Sequence, residues 1–207
     1  IQYGMEAIKG VGSNVIQEIV KERRENGKFE SIYDFARRVD SSICNKRTLE
    51  SLFQAGAFDK LNPNRRQLLQ HMEIIISYGS RVQEMENSNQ SDLFGDGGNN
   101  ASAIDEPELE PVEAWSNIER LNKERELIGF YLSGHPLDKF KEDVEMFCSH
   151  TLASEELEQL NDRTDVRVAG IITQVNRVTD KKGRPFAFLE MEDRNGAVEV
   201  VVVNDVY

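Results

Sequence analysis

Basic residues are absent from one long stretch of this chain: residues 86–114 hold eight Asp or Glu residues and no Lys or Arg. The stretch is also crowded with Asn, Ser, Gly and Pro, so it has too little apolar surface to offset the entropy lost on ordering it. It is therefore predicted to be a disordered acidic linker. Of the net charge of −12, this linker contributes −8 and residues 115–165 contribute −6, whereas residues 1–85 carry +2 and residues 166–207 are neutral. Both outer parts are thus free to meet an anionic partner.

Other absences exclude whole classes of protein. No apolar run approaches the length that spans a bilayer, and no basic-then-apolar signal sequence opens the chain, so no membrane partner is expected. Cys44 and Cys148 are far apart, which excludes a disulfide framework and favours the reducing cytoplasm. The three histidines are scattered, and paired carboxylates, a phosphate loop and a Ser-His arrangement are all missing, so neither a metal site nor a catalytic residue is predicted. The chain begins at Ile1 without a Met and stops after a strand-like run, which indicates a fragment of a larger protein.

The first 85 residues have the pattern of a compact bundle of amphipathic helices. Apolar residues recur at helical spacing in four segments separated by short polar loops. We expect Ser13 or Asn14 to cap the first helix and Asn62 to cap the fourth. Residues 115–165 contain two or three further helical stretches, broken at Ser133-Gly134-His135-Pro136, and are predicted to form a helical connector.

From Val166 the apolar period changes to that of β-strands. Three strands are expected, with Gly170 as a bulge or bend in the first, a turn at 180–184 and a two-residue hairpin at Asn195-Gly196. A meander of this kind suits the first half of an OB-fold barrel, whose other strands would lie beyond Tyr207.

The first motif with chemical content is Lys9-Gly10-Val11-Gly12. Two glycines around one apolar residue let the backbone turn sharply between two helices while Val11 plugs the turn. The amides of Gly10, Gly12 and Ser13 would then lie at a helix N-terminus, where the helix dipole and unpaired N–H groups favour a phosphate. The motif resembles a helix-hairpin-helix, which holds the DNA backbone without reading bases. A plain turn between two helices is the alternative.

A related small-residue turn, Ala55-Gly56-Ala57-Phe58, follows the third helix. Either a second hairpin that contacts DNA through Gly56 or a simple helix cap explains it. Paired basic residues along the helices would add phosphate contacts, unless they are only solvated helix faces. These pairs are Arg23-Arg24, Arg37-Arg38, Lys46-Arg47 and Arg65-Arg66.

The turn between the first two strands carries Lys181, Lys182 and Arg184, followed by Phe186 and Phe188 on one strand face. A basic loop beside strand aromatics is typical of proteins that bind single strands by stacking and phosphate attraction. The two aromatic residues equally suit the core of a barrel, and that alternative stays open.

Inside the acidic linker stands an apolar pair, Leu93 and Phe94, preceded by Gln90 and Asp92. The pattern Gln-x-x-Leu-Phe resembles the motif that bacterial replication proteins insert into a pocket of the ring-shaped sliding clamp. Three fixed residues recur by chance at about a few per cent in a chain of this length. The flanking segments, which suit nucleic acid, favour the clamp-binding interpretation.

Several phrases in order along essentially the whole chain resemble the C-terminal half of the bacterial replicative polymerases of the C family, the DNA polymerase III alpha subunits. These phrases are Ala7-Ile8-Lys9-Gly10-Val11-Gly12, Phe29-x-Ser31-Ile32-x-Asp34-Phe35, Asn45-Lys46-Arg47-x-Leu49-Glu50-x-Leu52, Ala55-Gly56-Ala57-Phe58-Asp59, Arg66-x-x-Leu69, Gln90-Ser91-Asp92-Leu93-Phe94-Gly95 and Glu126-x-x-Gly129-Phe130-Tyr131-Leu132-Ser133-Gly134-His135-Pro136-Leu137.

The resemblance implies a multi-domain fold, mainly α followed by β. It implies a tandem helix-hairpin-helix domain over 1–85, the disordered linker with a clamp-binding motif over 86–114, the connector over 115–165 and three strands of a truncated OB barrel over 166–207. The family's catalytic aspartates and their Mg belong to an upstream palm domain, so no catalytic residue and no cofactor are expected in this chain.

The expected function is that of a non-catalytic segment of a DNA-directed DNA polymerase, which grips duplex DNA and tethers the enzyme to the sliding clamp. Expected partners also include single-stranded DNA and other replisome subunits. Two alternatives stay open. One is a nucleic-acid-binding module of a repair or tRNA-binding protein, and the other is a replisome scaffold with negligible DNA contacts.

Overall fold

The computed structural model describes residues 4–40, 43, 45–91 and 104–203, apart from the side chains of residues 89–91, 154 and 156. The chain divides into two compact units, Ile1–Leu132 and Ser133–Tyr207. The first unit is helical, and the second combines short helices with an antiparallel sheet, which confirms the predicted order of mainly α followed by β. Within the described part, every helix is too short or too polar to cross a lipid bilayer.

The first unit opens with a short 3₁₀ helix and continues with helices that we label α1 to α6. Their bounds are Met5–Ala7 for the 3₁₀ helix, then α1 Ser13–Asn26, α2 Ile32–Arg38, α3 Lys46–Gln54, α4 Arg65–Gln70, α5 Met72–Ser91 and α6 Asn117–Ile128.

Side-chain caps explain where several of these helices begin. The Oγ of Ser31 accepts the N–H of Asp34 at 2.9 Å at the start of α2. At the start of α6, Ser116 and Glu119 form a reciprocal capping box. Each cap satisfies N–H groups that the first helical turn leaves without a partner, so these polar residues fix the helix boundaries.

Two helix starts differ from the sequence prediction. The first helix begins at Ser13 itself, with Gly12 as its cap, so neither Ser13 nor Asn14 caps it. The fourth begins at Arg65 and is capped by Asn64. Asn62 is not available as a cap, because its side-chain oxygen accepts the N–H of Asn64 at 2.8 Å and closes the preceding turn.

The core of the first unit is aromatic at its centre. Phe35 packs edge-to-face on Phe29 and on Phe58, and Phe58 packs in the same way on Phe53. Of these rings, Phe53 is completely buried. Edge-to-face aromatic pairs add about 0.5–1.5 kcal/mol each to the stabilisation from burial alone. The short helices are therefore held together by side chains that lie far apart in the sequence.

Helix α6 and the segment before it belong to the first unit. The sequence instead predicts that they are separate from the bundle, as a linker over 86–114 and a connector over 115–165. Ile128 lies in the same core as the bundle. The segment 104–112 is extended and lies on the bundle, where polar side chains hold its backbone. Its carbonyls accept hydrogen bonds at Pro107 from Tyr33, at Leu109 and Glu110 from Gln67, and at Val112 from Asn64.

Composition does not predict that residues 104–112 lie on the bundle, because it counts only the apolar surface that the segment itself can bury. Here the bundle supplies hydrogen-bond donors to the segment's carbonyls, and Ile104 and Leu109 pack against the existing core. The start of the predicted linker, through Ser91, continues α5. Residues 92–103 lie outside the described residues.

The second unit contains a 3₁₀ helix at Pro136–Phe140, α7 Lys141–Phe147, α8 Ser154–Glu158 and the strands β1 Ile171–Thr179, β2 Pro185–Glu192 and β3 Ala197–Val203. The sheet order is β1-β2-β3 and both pairings are antiparallel, as the meander predicts. The register of the first pair shifts between Ile172 and Gln174, and Gly170 lies before the strand. The irregularity is therefore inside β1 and not at the glycine.

Candidate nucleic-acid interface

The first interhelical turn is built around two buried apolar residues. Ile8 and Val11 are 5% and 8% exposed, and the N–H of Val11 donates to the carbonyl of Ile8 at 3.1 Å. Between them Gly10 has a φ of +83°, a left-handed conformation that an L side chain adopts only with strain. The turn therefore requires glycine at this position, and Val11 fills it from inside, as the sequence predicts.

The turn presents N–H groups to solvent at the start of α1. Gly10, Gly12 and Ser13 are all exposed. Among the residues that the structure describes, none of their three amides has a hydrogen-bond acceptor. They lie at the N-terminus of a 14-residue helix, where the helix dipole favours a negative charge. The three amides named by the sequence thus lie close together in the chain, at a helix end that favours an anion.

Two contacts at this hairpin were not predicted. The backbone N–H of Lys9 donates to the carbonyl of Leu127 at 2.9 Å, so the last turn of α6 supports the hairpin from behind. The hydroxyl of Ser13 donates to a carboxylate oxygen of Glu6 at 2.9 Å, which places a negative charge beside the donor site. The Lys9 side chain itself is exposed. Neither contact has a signal in the local sequence, since both depend on how distant backbone segments meet.

The turn at Gly56 has a different structure from the first one. Its φ is +82°, and the N–H groups of Gly56 and Ala57 donate to the carbonyls of Phe53 and Leu52 at 3.2 and 3.0 Å. This pair of bonds is a Schellman motif, which closes the C-terminus of α3. The amide of Gly56 is therefore already used by the protein and is not available to a phosphate, which departs from its predicted role as a DNA contact.

Half of the paired basic residues that were expected to add phosphate contacts form ion pairs with carboxylates of the protein: Arg37, Arg38, Lys46 and Arg65. Arg65 is 4% exposed and forms ion pairs with Asp59 at 2.6 Å and Glu124 at 2.8 Å. Burial disfavours its charge, but the hydrogen bonds and charges of these two carboxylates raise the pKa of Arg65 above its ordinary value. Lys46 pairs with Glu73 at 2.6 Å.

Arg38 is used internally as well. Its guanidinium donates to the carboxylates of Glu22 and Asp34 and to the carbonyl of Gly27, and it covers the ring of Phe29 at 4.5 Å. It therefore organises the turn between α1 and α2, and its N–H groups are already bonded to protein oxygens and not to a phosphate.

In the second unit the basic loop is ordered by an acid. Both oxygens of the Asp180 carboxylate accept hydrogen bonds, one from the N–H groups of Lys182 and Arg184 and the other from the Arg184 side chain at 2.8 Å. The hydrogen bond from the backbone N–H of Arg184 contributes most to lowering the pKa of Asp180 below its ordinary value. Lys181 and Lys182 keep exposed side chains, while Arg184 is paired.

Phe186 and Phe188 lie on one face of β2 with ring centroids 5.4 Å apart. Both are half-buried. They belong neither to a closed core nor to a fully open stacking surface, so both sequence interpretations of this strand survive in the structure.

Comparison with known proteins decides which family these features belong to. Residues 1–68, which include both interhelical turns, match the family described as the helix-hairpin-helix motif. The chain is 37% identical over 202 residues to the DNA polymerase III subunit alpha of Neisseria meningitidis, covering 98% of this chain and 17% of that protein. It is 35% identical to the same subunit of Borreliella burgdorferi and of Mycobacterium tuberculosis, over 100% of this chain and 18% of each relative.

The chain belongs to the DNA polymerase III alpha subunit family. It spans less than a fifth of the length of the curated relatives it matches. The resemblance seen in the sequence phrases is therefore confirmed over nearly the whole of this segment.

The Gln-x-x-Leu-Phe pattern of this segment lies at the edge of the described residues. Gln90 belongs to the last turn of α5, and its side chain is not among the described ones. Asp92, Leu93 and Phe94 lie outside the described residues altogether. Within the described part, His, Cys, Asp and Glu do not group in threes that could hold a metal ion.

Proposed function

We propose that this polymerase segment binds duplex DNA through phosphate contacts at the Gly10–Ser13 hairpin. The observation that carries this proposal is the set of three exposed amides at the N-terminus of α1, which have no acceptor within the described residues. Backbone N–H groups bind phosphate oxygens without distinguishing bases, so binding should be independent of sequence. Lys9 adds one cation beside the site.

The test compares two glycines that both have a positive φ in the 207-residue chain. Gly10→Ala should weaken the binding of a fluorescent duplex about tenfold, because the strained turn moves the donor amides. Gly27→Ala is the matched control, since its φ of +86° also strains an added Cβ but it lies past the other end of α1 with open space around it. Equal losses in the two variants, or a preference for one base sequence, would contradict the hairpin site.

Lys9→Ala tests the electrostatic part of the same contact. It should lower the slope of log affinity against log salt by about one phosphate's worth, with little change in the preference among duplex sequences. An unchanged salt slope would mean that the Lys9 side chain does not approach the DNA backbone.

We further propose that Gln90, Asp92, Leu93 and Phe94 tether the polymerase to the sliding clamp. The sequence pattern supports this proposal, and so does the placement of its flanks. On one side α5 ends at Ser91, and on the other the segment 104–112 is held on the bundle. A motif between two such flanks would tether a clamp to the unit that carries the hairpin.

Calorimetric titration against a purified clamp tests the tether. Burial of one Leu and one Phe side chain contributes about 1.5–3 kcal/mol each, so replacing Leu93 and Phe94 with Ala should weaken binding about a hundredfold or more. Replacing the nearby Asn99 and Asn100 with Ala is the matched control. Both double variants should keep the melting temperature and the duplex affinity of the unaltered chain. Unchanged clamp affinity with a lowered melting temperature would instead show that the Leu-Phe pair packs on the bundle.

For the parent protein we propose template-directed DNA synthesis in the bacterial cytoplasm, with Mg bound by residues outside this chain. Lys181, Lys182 and Arg184 are proposed contacts for single-stranded DNA, and other replisome subunits are proposed partners. A scaffold without DNA contacts is the competing function. It predicts that neither Gly10→Ala nor Lys9→Ala changes the behaviour of the chain toward DNA.

A further inference from the structure

A buried ion pair connects the bundle to α6. Nη2 of Arg65 lies 2.8 Å from Oε1 of Glu124, and the two residues are 4% and 0% exposed. The same guanidinium donates to both oxygens of Asp59, at 2.7 and 2.6 Å, and to the carbonyl of Gln54 at 3.0 Å. Four of the five N–H groups of the guanidinium are thus used, and the two bonds to Asp59 fix the direction from which Glu124 meets it.

The Gly56 turn is shaped to admit this arginine. A Cβ atom on Gly56 would lie 2.5 Å from Cζ of Arg65, which no real side chain could tolerate. The glycine therefore serves two purposes, the left-handed cap of α3 and the passage of the guanidinium towards Glu124. The small-residue turn that looks like a second DNA hairpin is built around an internal cation.

The ion pair also lies one helical turn from the support of the first hairpin. Glu124 and Leu127 are three residues apart on α6, so they lie on neighbouring turns of one face. The carbonyl of Leu127 accepts the N–H of Lys9. Any rotation or sliding of α6 that breaks the pair with Arg65 would also move the acceptor that holds Lys9.

We propose that Arg65 and Glu124 are positioning residues for the DNA-binding hairpin, acting through α6. The inference rests on the proposed duplex binding at Gly10–Ser13. The pair fixes the position of α6 along and around its axis, α6 fixes the backbone of Lys9, and Lys9 begins the turn whose amides meet the phosphate. Residues separated by more than a hundred positions in the sequence thus form one site.

The proposal is tested in the 207-residue chain by amide hydrogen exchange at two neighbouring N–H groups. The N–H of Lys9 bonds to α6, whereas the N–H of Val11 bonds to Ile8 within the hairpin and serves as an internal reference. Glu124→Gln removes one charge at nearly constant shape, and Arg65→Lys keeps the charge but loses the fixed fork. Both should speed exchange at Lys9 about tenfold relative to Val11 and weaken duplex binding about three- to tenfold.

Ile75→Ala is the matched control for general destabilisation. Ile75 is fully buried in α5, and neither partner of the ion pair is altered by the change. It should lower the melting temperature without changing the ratio of exchange rates at Lys9 and Val11. If Arg65→Lys does not fold, Glu124→Gln alone decides the question by the same ratio.

Three outcomes separate this inference from the proposed function. An unchanged exchange ratio in Glu124→Gln, with Gly10→Ala still weakening DNA binding, overturns the positioning role alone. A changed ratio without loss of duplex affinity, while Gly10→Ala does lose affinity, overturns it as well. A changed exchange ratio in Glu124→Gln, with duplex affinity unchanged in both Glu124→Gln and Gly10→Ala, would show that α6 holds the hairpin but that the hairpin is not the DNA site.

Discussion

The two glycine turns of the first unit look alike in sequence and differ in what fills them. Both glycines have a left-handed φ, +83° at Gly10 and +82° at Gly56. At Gly10 the neighbouring amides belong to exposed residues and have no acceptor among the described residues, whereas at Gly56 the amide closes a helix and an arginine lies against the backbone. A glycine between helices therefore marks a tight turn, and only the surroundings decide whether that turn can bind an anion.

The turn between α1 and α2 follows the pattern of Gly56. The guanidinium of Arg38 donates to the carbonyls of Glu22, Gly27 and Lys28, so a half-buried cation organises this turn too. Two interhelical turns of the unit thus have their own arginine, and the first hairpin has none among the described residues. An open donor site is left where the protein does not supply its own ionic partner.

The largest effect that would test this comparison is expected for Gly56→Ala. The left-handed φ costs about 1–2 kcal/mol with a Cβ, and displacing Arg65 from a buried pair costs about 3–5 kcal/mol more. We therefore expect the melting temperature of the first unit to fall by about 10 °C or more. Gly10→Ala should lose only about 1–2 kcal/mol, because the nearest atom to its Cβ is the Oγ of Ser51 at 3.0 Å.

Differential scanning calorimetry on the two alanine variants measures both losses. A second measurement on the same samples is their affinity for duplex DNA at one salt concentration. Gly56→Ala should lower the melting temperature more than Gly10→Ala does. Gly10→Ala should weaken duplex binding because it alters the proposed binding turn itself. Equal melting temperatures for the two variants would remove the distinction between a filled turn and an open one.

The sequence predicts only part of this difference between the two turns, because contacts between residues far apart in the chain leave no local pattern. The position of Val11, the small-residue turns and the antiparallel meander follow from local pattern, and the structure has all of them. The partner of Arg65 could not be found in this way, because Glu124 lies 59 residues further on within an ordinary-looking amphipathic helix. Nothing in a single sequence separates a charged residue on a solvated helix face from one that meets a buried cation.

The acidic segment shows the same limit of local sequence patterns, here for a segment that is predicted to lack contacts and makes them. Its composition predicts a disordered linker over 86–114, yet 104–112 lies on the bundle because Tyr33, Gln67 and Asn64 donate to its carbonyls. Composition describes what a segment can bury by itself. It does not describe the donors that a neighbouring domain offers to its backbone.

A smaller effect, and one that depends on pH, is expected at the turn organised by Arg38. Burial alone would raise the pKa of Asp34, but the N–H of Glu30 and the guanidinium groups of Arg37 and Arg38 hold it below its ordinary value of 3.8. A carboxyl whose folded pKa is depressed stabilises the protein above its unfolded pKa and loses that contribution as the pH falls through the folded value. The ionised form of Asp34 should therefore stabilise the unit from neutral pH down to about pH 4.

Asp34→Asn tests this expectation. At pH 7 it should lower the free energy of unfolding by about 2 kcal/mol, because hydrogen bonds to a charged group are lost. The difference from the unaltered chain should shrink as the pH falls below about 4, because the unfolded carboxyl takes up a proton there while the folded one is still ionised. Urea unfolding at pH 7 and pH 3 measures both values. A difference that stays constant across this range would mean that the charge of Asp34 does not hold the turn.

The smallest expected effect concerns the acid beside the open hairpin, and it has the opposite sign from the other changes. Glu6 accepts a hydrogen bond from Ser13 at 2.9 Å, so a bound phosphate would meet a nearby negative charge. Glu6→Gln keeps an acceptor oxygen and removes only that charge. Duplex affinity should therefore rise about twofold at low salt, and a smaller gain should remain at 0.1 M salt, where the Debye length has shortened from about 30 to about 10 Å.

Glu25→Gln is the matched control for this change, because it removes the same charge from the other end of α1. Glu25 lies twelve residues beyond Ser13, or about 18 Å along the helix, which exceeds the Debye length at 0.1 M salt. Fluorescence anisotropy with one labelled duplex compares the two variants across a salt series. If the phosphate sits at the open turn, only Glu6→Gln keeps an advantage at 0.1 M salt. If both variants gain equally there, the DNA responds to the overall charge of the chain, and the hairpin has no privileged place in the contact.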